Sequence, residues 1–258
     1  MKKFFCIMAV MMTAAAVYAQ GDDFGTILSV EAEKKINKKF SVGLEAEMRT
    51  RDDVKNIDRW SGGVQAEYKL LPWLKASAGY TYLYDNNERI SYYEEGDGKV
   101  TKGIVNVGDP KKRGEYWGSR HRFHVSLTGS QKFGNLELSL RERWQYTYRP
   151  EQTVSERYSY YDEDWDGDEH VYRGKGKNLL RSRLMAEYKI KYIPTTPFVS
   201  VETFNAWNLE KIRFTVGSDW RINKKNVVSL YYRYQHVHNS SDNEPNRHSI
   251  GLSYKVKF

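Results

Sequence analysis

The chain has almost no cysteine. Cys6 is the only one in 258 residues, and it sits inside an N-terminal apolar stretch that reads as a leader. The rest of the chain can therefore form neither a disulfide framework nor a thiolate metal site. Long apolar runs are equally scarce. Beyond that stretch nothing approaches the ~20 apolar residues of a spanning helix, and mean hydropathy is −0.76. Disorder does not fit either, because aromatics make up 14 % of the residues and disordered chains are poor in them. A polar average combined with many aromatics suits strands that are apolar on one face only.

The leader is "MKKFFCIMAVMMTAAAVYAQ". Lys2 and Lys3 form a positive start, residues 4–17 an apolar core, and Val17-Tyr18-Ala19 a small-residue cleavage site. The reading is a signal peptide over 1–19 and an exported domain over 20–258. A retained anchor is the lesser alternative, since the apolar core is short for a span. Loss of Lys2 and Lys3 takes the formal charge from +8 to +6. A basic exported protein meets anionic lipid, lipopolysaccharide or polysaccharide rather than nucleic acid.

What the sequence does have is alternation. In "LLRSRLMAEYKI" (179–190) Leu180, Leu184, Ala186 and Tyr188 share one row, while Arg181, Arg183, Glu187 and Lys189 share the other. Period-two patterning marks a strand with different surroundings on its two faces. Similar rows recur, for example Phe40-Val42-Leu44-Ala46-Met48 and Trp60-Gly62-Val64-Ala66-Tyr68. The links between them alternate as well. Tight ones (36–39, 70–73, 133–135, 192–197, 223–226) take turns with longer polar ones (51–58, 85–120, 149–177, 208–211, 238–246). Short turns at one end and long loops at the other are the layout of an up-and-down, antiparallel transmembrane β-barrel. Only helices and closed barrels satisfy every backbone group in lipid. Aromatics near both strand ends, such as Tyr80, Tyr82, Tyr84, Trp144, Tyr146 and Tyr148 at one and Tyr68, Phe133, Tyr188 and Trp220 at the other, match two interfacial belts.

Eleven strand segments can be marked, with 24–34 the first. Bacterial single-chain barrels normally have even counts. The expectation is therefore 10–12 strands with twelve favoured, or ten if 24–34 is not a full strand. Glu142 breaks the pattern by falling on the apolar row between Leu140 and Trp144, which suggests a bulge or a rim position. At the end of the chain, His248, Ile250, Leu252, Tyr254, Val256 and Phe258 share a face. A closing strand that ends in phenylalanine resembles those of Gram-negative outer-membrane proteins, and that likeness implies recognition by the barrel-insertion machinery.

The stretches "EKKINKKFSVGLEAEMRTRDD" (33–53), "LLRSRLMAEYKI" with "PTTPFVSVETF", and "FTVGSDWRINKKNVVSLYYRYQ" (214–235) together resemble the exported barrel family known as domain-of-unknown-function 2490. The likeness is one of hairpin phrasing across the whole exported chain. It implies a barrel in the cell outer membrane and carries no substrate.

Charge on a lipid face costs ~2–4 kcal/mol at mid-depth, so the charged rows should face the lumen. They are sorted by sign. Glu31, Glu33, Glu45, Glu47 and Glu67 come from the first strands; Arg122, Arg141, Arg143, Arg181 and Arg183 come from the middle, with Glu187 below them. One reading is a narrow, porin-like, non-enzymatic channel for small polar or anionic solutes. The other is a lumen filled by interdigitating ion pairs, and barrel size leaves both open. The alternative to a channel is a surface barrel whose Tyr-rich loops bind a carbohydrate, an ion or a protein.

Two further motifs merit attention. Asp162, Asp164, Asp166 and Gly167, followed by Asp168, match the first half of a Ca²⁺ loop, but the twelfth position is Arg173 instead of the bidentate Glu. A solvated acidic loop is the plainer reading, and no other cofactor is indicated. "HVHNSSDNE" offers His238, Ser240 and Asp242 or Glu244 to a lipid hydrolase, and His124 lies two residues from Ser126. Such combinations arise readily by chance.

Overall fold

A computed structural model describes residues 22–239 and 244–258. The leader, Cys6, Ser240 and Asp242 lie outside the described residues. Six long strands come first: β1 (Asp23–Lys35), β2 (Phe40–Arg51), β3 (Asn56–Leu71), β4 (Leu74–Tyr92), β5 (Pro110–Phe133) and β6 (Leu136–Arg149). Four short ones follow within one loop: β7 (Gln152–Val154), β8 (Tyr158–Ser159), β9 (Asp164–Trp165) and β10 (His170–Tyr172). Then come β11 (Lys175–Tyr188), β12 (Thr195–Ala206), β13 (Asn208–Arg221), β14 (Asn226–Val237) and β15 (Arg247–Lys257).

The eleven long strands form one closed barrel, each paired antiparallel with the next and β6 with β11 across the loop. The ring closes between β15 and β1, and that pair is parallel, from Asp23↔Arg247 to Glu33↔Lys257. Eleven strands stand where twelve were favoured. The even count presumes that every neighbour is antiparallel, whereas one parallel pair lets an odd ring close. Segment 24–34 is a full strand, bonded on both sides. Charged pairs brace both ends of this seam. Arg247 reaches Asp23 at 2.6 Å, and the Lys255 ammonium sits 3.2 Å from both Glu31 and Glu33. The exposed Phe258 donates its backbone N–H to the Glu33 carbonyl.

The turns follow from their residues. In the two "INKK" turns, the side-chain oxygens of Asn37 and Asn223 each accept two backbone N–H groups on the far side. Such Asx turns form a local alternative to ladder bonds. Gly134 takes φ +60° in the β5–β6 hairpin, a conformation that costs glycine little. At the opposite end two of the links expected to be long are tight. β2 and β3 are joined by 52–55, with Asp52, Asp53 and Val54 all left-handed, and β12 and β13 are joined by Trp207 alone. The strands run further than their alternation shows.

The other long links are built structures. β4 and β5 stay paired up to Tyr92↔Pro110, beyond the points where their other barrel partners leave off. This raised hairpin carries a one-turn helix α1 (Gly98–Thr101). The loop from β6 to β11 folds against it: β7 pairs with β10, β8 with β9, and β8 with β5. Tyr116 stacks on Tyr172 with centroids 4.9 Å apart, and Lys112 meets Asp166 at 2.5 Å.

The outward face of the barrel is apolar and uncovered. Leu44, Val64, Leu127, Leu140, Leu184, Val199 and Phe214 are all about half exposed. A contiguous apolar band of this kind needs a nonpolar solvent. Glu142 sits within the band with no bulge, in register with Leu127 and Ser182. It accepts a hydrogen bond from the Ser182 hydroxyl at 2.6 Å, so a cross-strand partner takes the place of the expected distortion.

Candidate functional site

Inside the barrel the strands place their charged rows around two cavities. The larger, about 1490 Å³, opens toward the short turns. Glu45, Glu47, Glu67, Arg122, Arg141, Arg143, Arg181, Arg183 and Glu187 all line it, so one wall is acidic and the facing wall basic. The smaller, about 320 Å³, lies toward the long loops.

The two halves of the lumen differ in how their charges are used. In the loop-side half opposite charges interlock. Asp85, 3 % exposed, accepts a hydrogen bond from Arg59 and forms an ion pair with Arg120 at 2.9 Å. Arg247 bridges Asp23 and Asp58, Lys177 pairs with Glu210 at 2.7 Å, and Lys211 with Glu244 at 2.5 Å. In the turn-side half pairing is confined to the walls, as between Lys75 and Glu67 at 2.9 Å and between Lys255 and both Glu31 and Glu33, while Arg143, Arg183 and Glu45 line the open space with no ion-pair partner among the described residues. The filled and the open lumen that the sequence left as alternatives thus occupy different depths of one barrel.

Where the halves meet, the lining is cationic. The residues common to both cavities are Arg49, Arg122, Arg181, Arg213 and Arg233, contributed by five strands around the ring. One carboxylate anchors this belt. Glu202 accepts from Arg181 with both oxygens at 3.0 Å, from Arg141 at 2.5 Å and from Arg213 at 3.5 Å. The Phe204 ring lies beneath the guanidiniums of Arg181 and Arg213, at 4.5 and 4.6 Å, a geometry in which the ring face attracts cations. Gln145 takes a further Arg181 N–H at 2.7 Å, and Gln235 one from Arg213 at 2.7 Å. Arg49 turns instead to Glu47, at 2.6 Å. Among the described residues, Arg122 and Arg233 meet no carboxylate at ion-pair distance; Arg233 lies 5.0 Å over the Tyr231 ring.

Below the belt the wall is thin. Gly217, Tyr231 and Gly251 are neighbours in register. A Cβ on Gly251 would fall 2.0 Å from the Tyr231 ring, and one on Gly217 would fall 2.5 Å from its Cβ. The missing side chains let this ring lie against the wall instead of across the cavity.

Sequence reasoning missed Glu202, Phe204, Arg213, Arg233 and the Asp85 pairs. Period-two counting along β12 and β14 puts Phe198-Ser200-Glu202-Phe204 and Ser229-Tyr231-Arg233-Gln235 inward, so the signal was present. It was hidden because β12 and β14 carry few charges each.

The acidic loop motif is dispersed. Asp166 accepts from Lys112 and from the backbone N–H groups of Arg157 and Asp168. Asp162 accepts from the Ser159 hydroxyl, and Asp164 bonds the N–H of Trp165. Among the described residues no group of three or more His, Cys, Asp or Glu side chains could hold a metal. Partial burial pushes the Asp166 carboxyl up, yet Lys112 and the two backbone donors outweigh it and hold it at about 2. His124 bonds Gln65 at 3.2 Å, and the Ser126 hydroxyl accepts from the Arg143 Nε. The His238 backbone N–H donates to the Glu210 carbonyl, while Glu244 is engaged by Lys211.

Comparison with solved structures shows the architecture of outer-membrane β-barrels. The β domain of the Bordetella autotransporter Brka superposes with a TM-score of 0.53 at 10 % identity, covering 92 % of this chain and 99 % of that one. The translocator domain of the autotransporter NalP from Neisseria meningitidis gives 0.51 at 10 % identity, covering 88 % and 77 %. The porin NanC aligns more loosely, with a TM-score of 0.45 at 12 % identity over 92 % and 100 %. No curated protein matches in sequence. A family model described as a protein of unknown function, DUF2490, matches residues 24–246. With nearly the whole barrel inside that match, the chain belongs to the DUF2490 family.

Proposed function

We propose that this protein resides in the outer membrane and conducts small anionic solutes through its lumen without catalysing a reaction. One observation carries the reading: the lining shared by the two cavities consists of arginine alone. A ring of fixed cations at a narrow point favours anions and repels cations. The turn-side mouth adds Lys38, Lys39, Lys69, Lys189 and Lys257, which raise the local anion concentration.

Planar-bilayer recording of the refolded protein under a KCl gradient tests it. The reversal potential should have the sign for anion preference. R122E with R233E is the informative variant, because neither arginine holds a carboxylate whose partner would be lost. The anion-to-cation permeability ratio should fall by about tenfold, the change that ~1.4 kcal/mol produces. No discrete conductance in the wild type, or a reversal potential unmoved by the double variant, would refute the reading.

A further inference from the structure

We propose that the turn-side cavity binds a doubly charged oxyanion, the phosphate or sulfate group of a soluble solute, at a square of arginines on β6 and β11. The proposal rests on the anion-conducting reading and names the class of anion.

The square follows from register. Arg143 stands opposite Arg181, and Arg141 opposite Arg183, on adjacent strands. Directly opposed residues have Cβ atoms ~4.5–5.5 Å apart, and like charges so placed are destabilising. The neighbouring strand supplies one neutralising carboxylate, Glu202, and it is taken by Arg141 and Arg181, with Arg213 as a third claimant. The other diagonal is left over. Arg143 gives its Nε to the Ser126 hydroxyl at 2.8 Å, which keeps the guanidinium fork fixed and its terminal amino groups available. Arg183 has no hydrogen-bond or ion-pair partner among the described residues, and its Nε is buried. Both line the open cavity.

Two guanidiniums held on one wall present forked N–H pairs. That geometry matches an anion with several oxygens and is wasted on a spherical halide. Two uncompensated charges call for a dianion. The facing wall supports a polar body attached to it. β2 lies four strands from β6 and five from β11 in the ring of eleven, and its Glu45, also without a partner among the described residues, can accept from a hydroxyl or amino group. Entry is from the end of the barrel, past the lysines of the short turns, which favours a soluble solute over a lipid headgroup.

Calorimetric titration of the refolded full chain with inorganic phosphate, at constant chloride, is the test. Saturable binding at one site is expected. R143Q and R183Q should each weaken it by about tenfold or more, the loss of a charge-assisted bond, and the double variant should abolish it. K102Q, on the exposed outer hairpin and outside both cavities, should stay within about twofold. Each Gln relieves repulsion in the square, so folding should survive, and unchanged heat-modifiable gel mobility checks it. Absence of saturable phosphate binding in the wild type, or equal affinity in R143Q with R183Q, would overturn the site. A repeat in vesicles separates the sources. Affinity should be the same with phosphatidylcholine alone as with added phosphatidylglycerol; loss of phosphate binding in the latter would assign the site to a lipid headgroup and overturn the proposal. Binding without conductance would refute the channel and keep the site, and conductance without binding would do the reverse.

Discussion

Replacing Glu202 by Gln removes the only carboxylate, among the described residues, that holds Arg141, Arg181 and Arg213 together. Glu202 is 5 % exposed, so water cannot readily take its place. Removing one partner of a buried ion pair costs ~3–5 kcal/mol, because the remaining charge is left uncompensated. Here three guanidiniums are left, but the open cavity beside them supplies some hydration, which places the expectation near ~3 kcal/mol at the lower edge of that range. The measurement is urea unfolding of refolded protein in lipid vesicles, followed by tryptophan fluorescence. The midpoint should fall while the slope against urea stays constant, as for a change in stability without a change in exposed surface. Salt should return part of the loss, since mobile anions then screen the three cations. E45Q is the control, because among the described residues Glu45 has no partner to orphan; it should shift stability by no more than ~0.5 kcal/mol. A loss below ~1 kcal/mol in E202Q, or equal losses in both variants, would show that Glu202 does not organise the belt.

Two further outcomes follow from the loop sheet and the lipid face. The Asp166 carboxyl lies at about 2 in the folded loop and at ~3.9 when free. A lowered folded value stabilises above the unfolded one, so its contribution is complete above about pH 4 and is lost as pH falls toward about 2. Limited pepsin digestion should spare loop 149–177 at pH 4 and cut it at pH 2, while D166N should be cut at both; a D166N loop as resistant as wild type at pH 4 would refute the docking role. Glu142 exposes a carboxylate in the apolar band, and E142L should raise vesicle stability by ~1–2 kcal/mol, less than the cost of a basic residue at that depth. A loss of stability in the same urea assay would show that this face does not meet lipid.

The barrel was legible because alternation is a local signal that membrane solvation makes strict: a misplaced charge on the outer face is expensive. The placement of Arg141, Arg143, Arg181 and Arg183 on one inward wall could therefore be read directly from "RERW" and "RSRL". Closure was not legible. Whether β1 joins β15 in parallel depends on the pairing of strands at opposite ends of the chain, and neither carries a residue pattern that distinguishes parallel from antiparallel neighbours. Nor was the depth at which charges pair. Arg59, Arg120 and Asp85 come from three different strands, and only their relative stagger brings them together. The loop sheet was hidden for a related reason: strands of two or three residues, such as Asp164–Trp165, are too short to show a period.

The parallel seam also has a kinetic side. Asp23 and Arg247 are 224 residues apart, and contacts of such separation pay their loop-closure entropy before they return any bonding. Ten of the eleven neighbour pairs can zip locally from turns or the one long loop, but the last cannot be reached from any hairpin. Until it forms, the sheet presents two raw edges whose backbone groups hydrocarbon cannot satisfy. Charged pairs set at the two ends of the seam, in the wetter zones, can find each other by long-range attraction before the backbone ladder between them closes. The seam is thus less a weak point of the finished ring than the step that decides when the ring is finished.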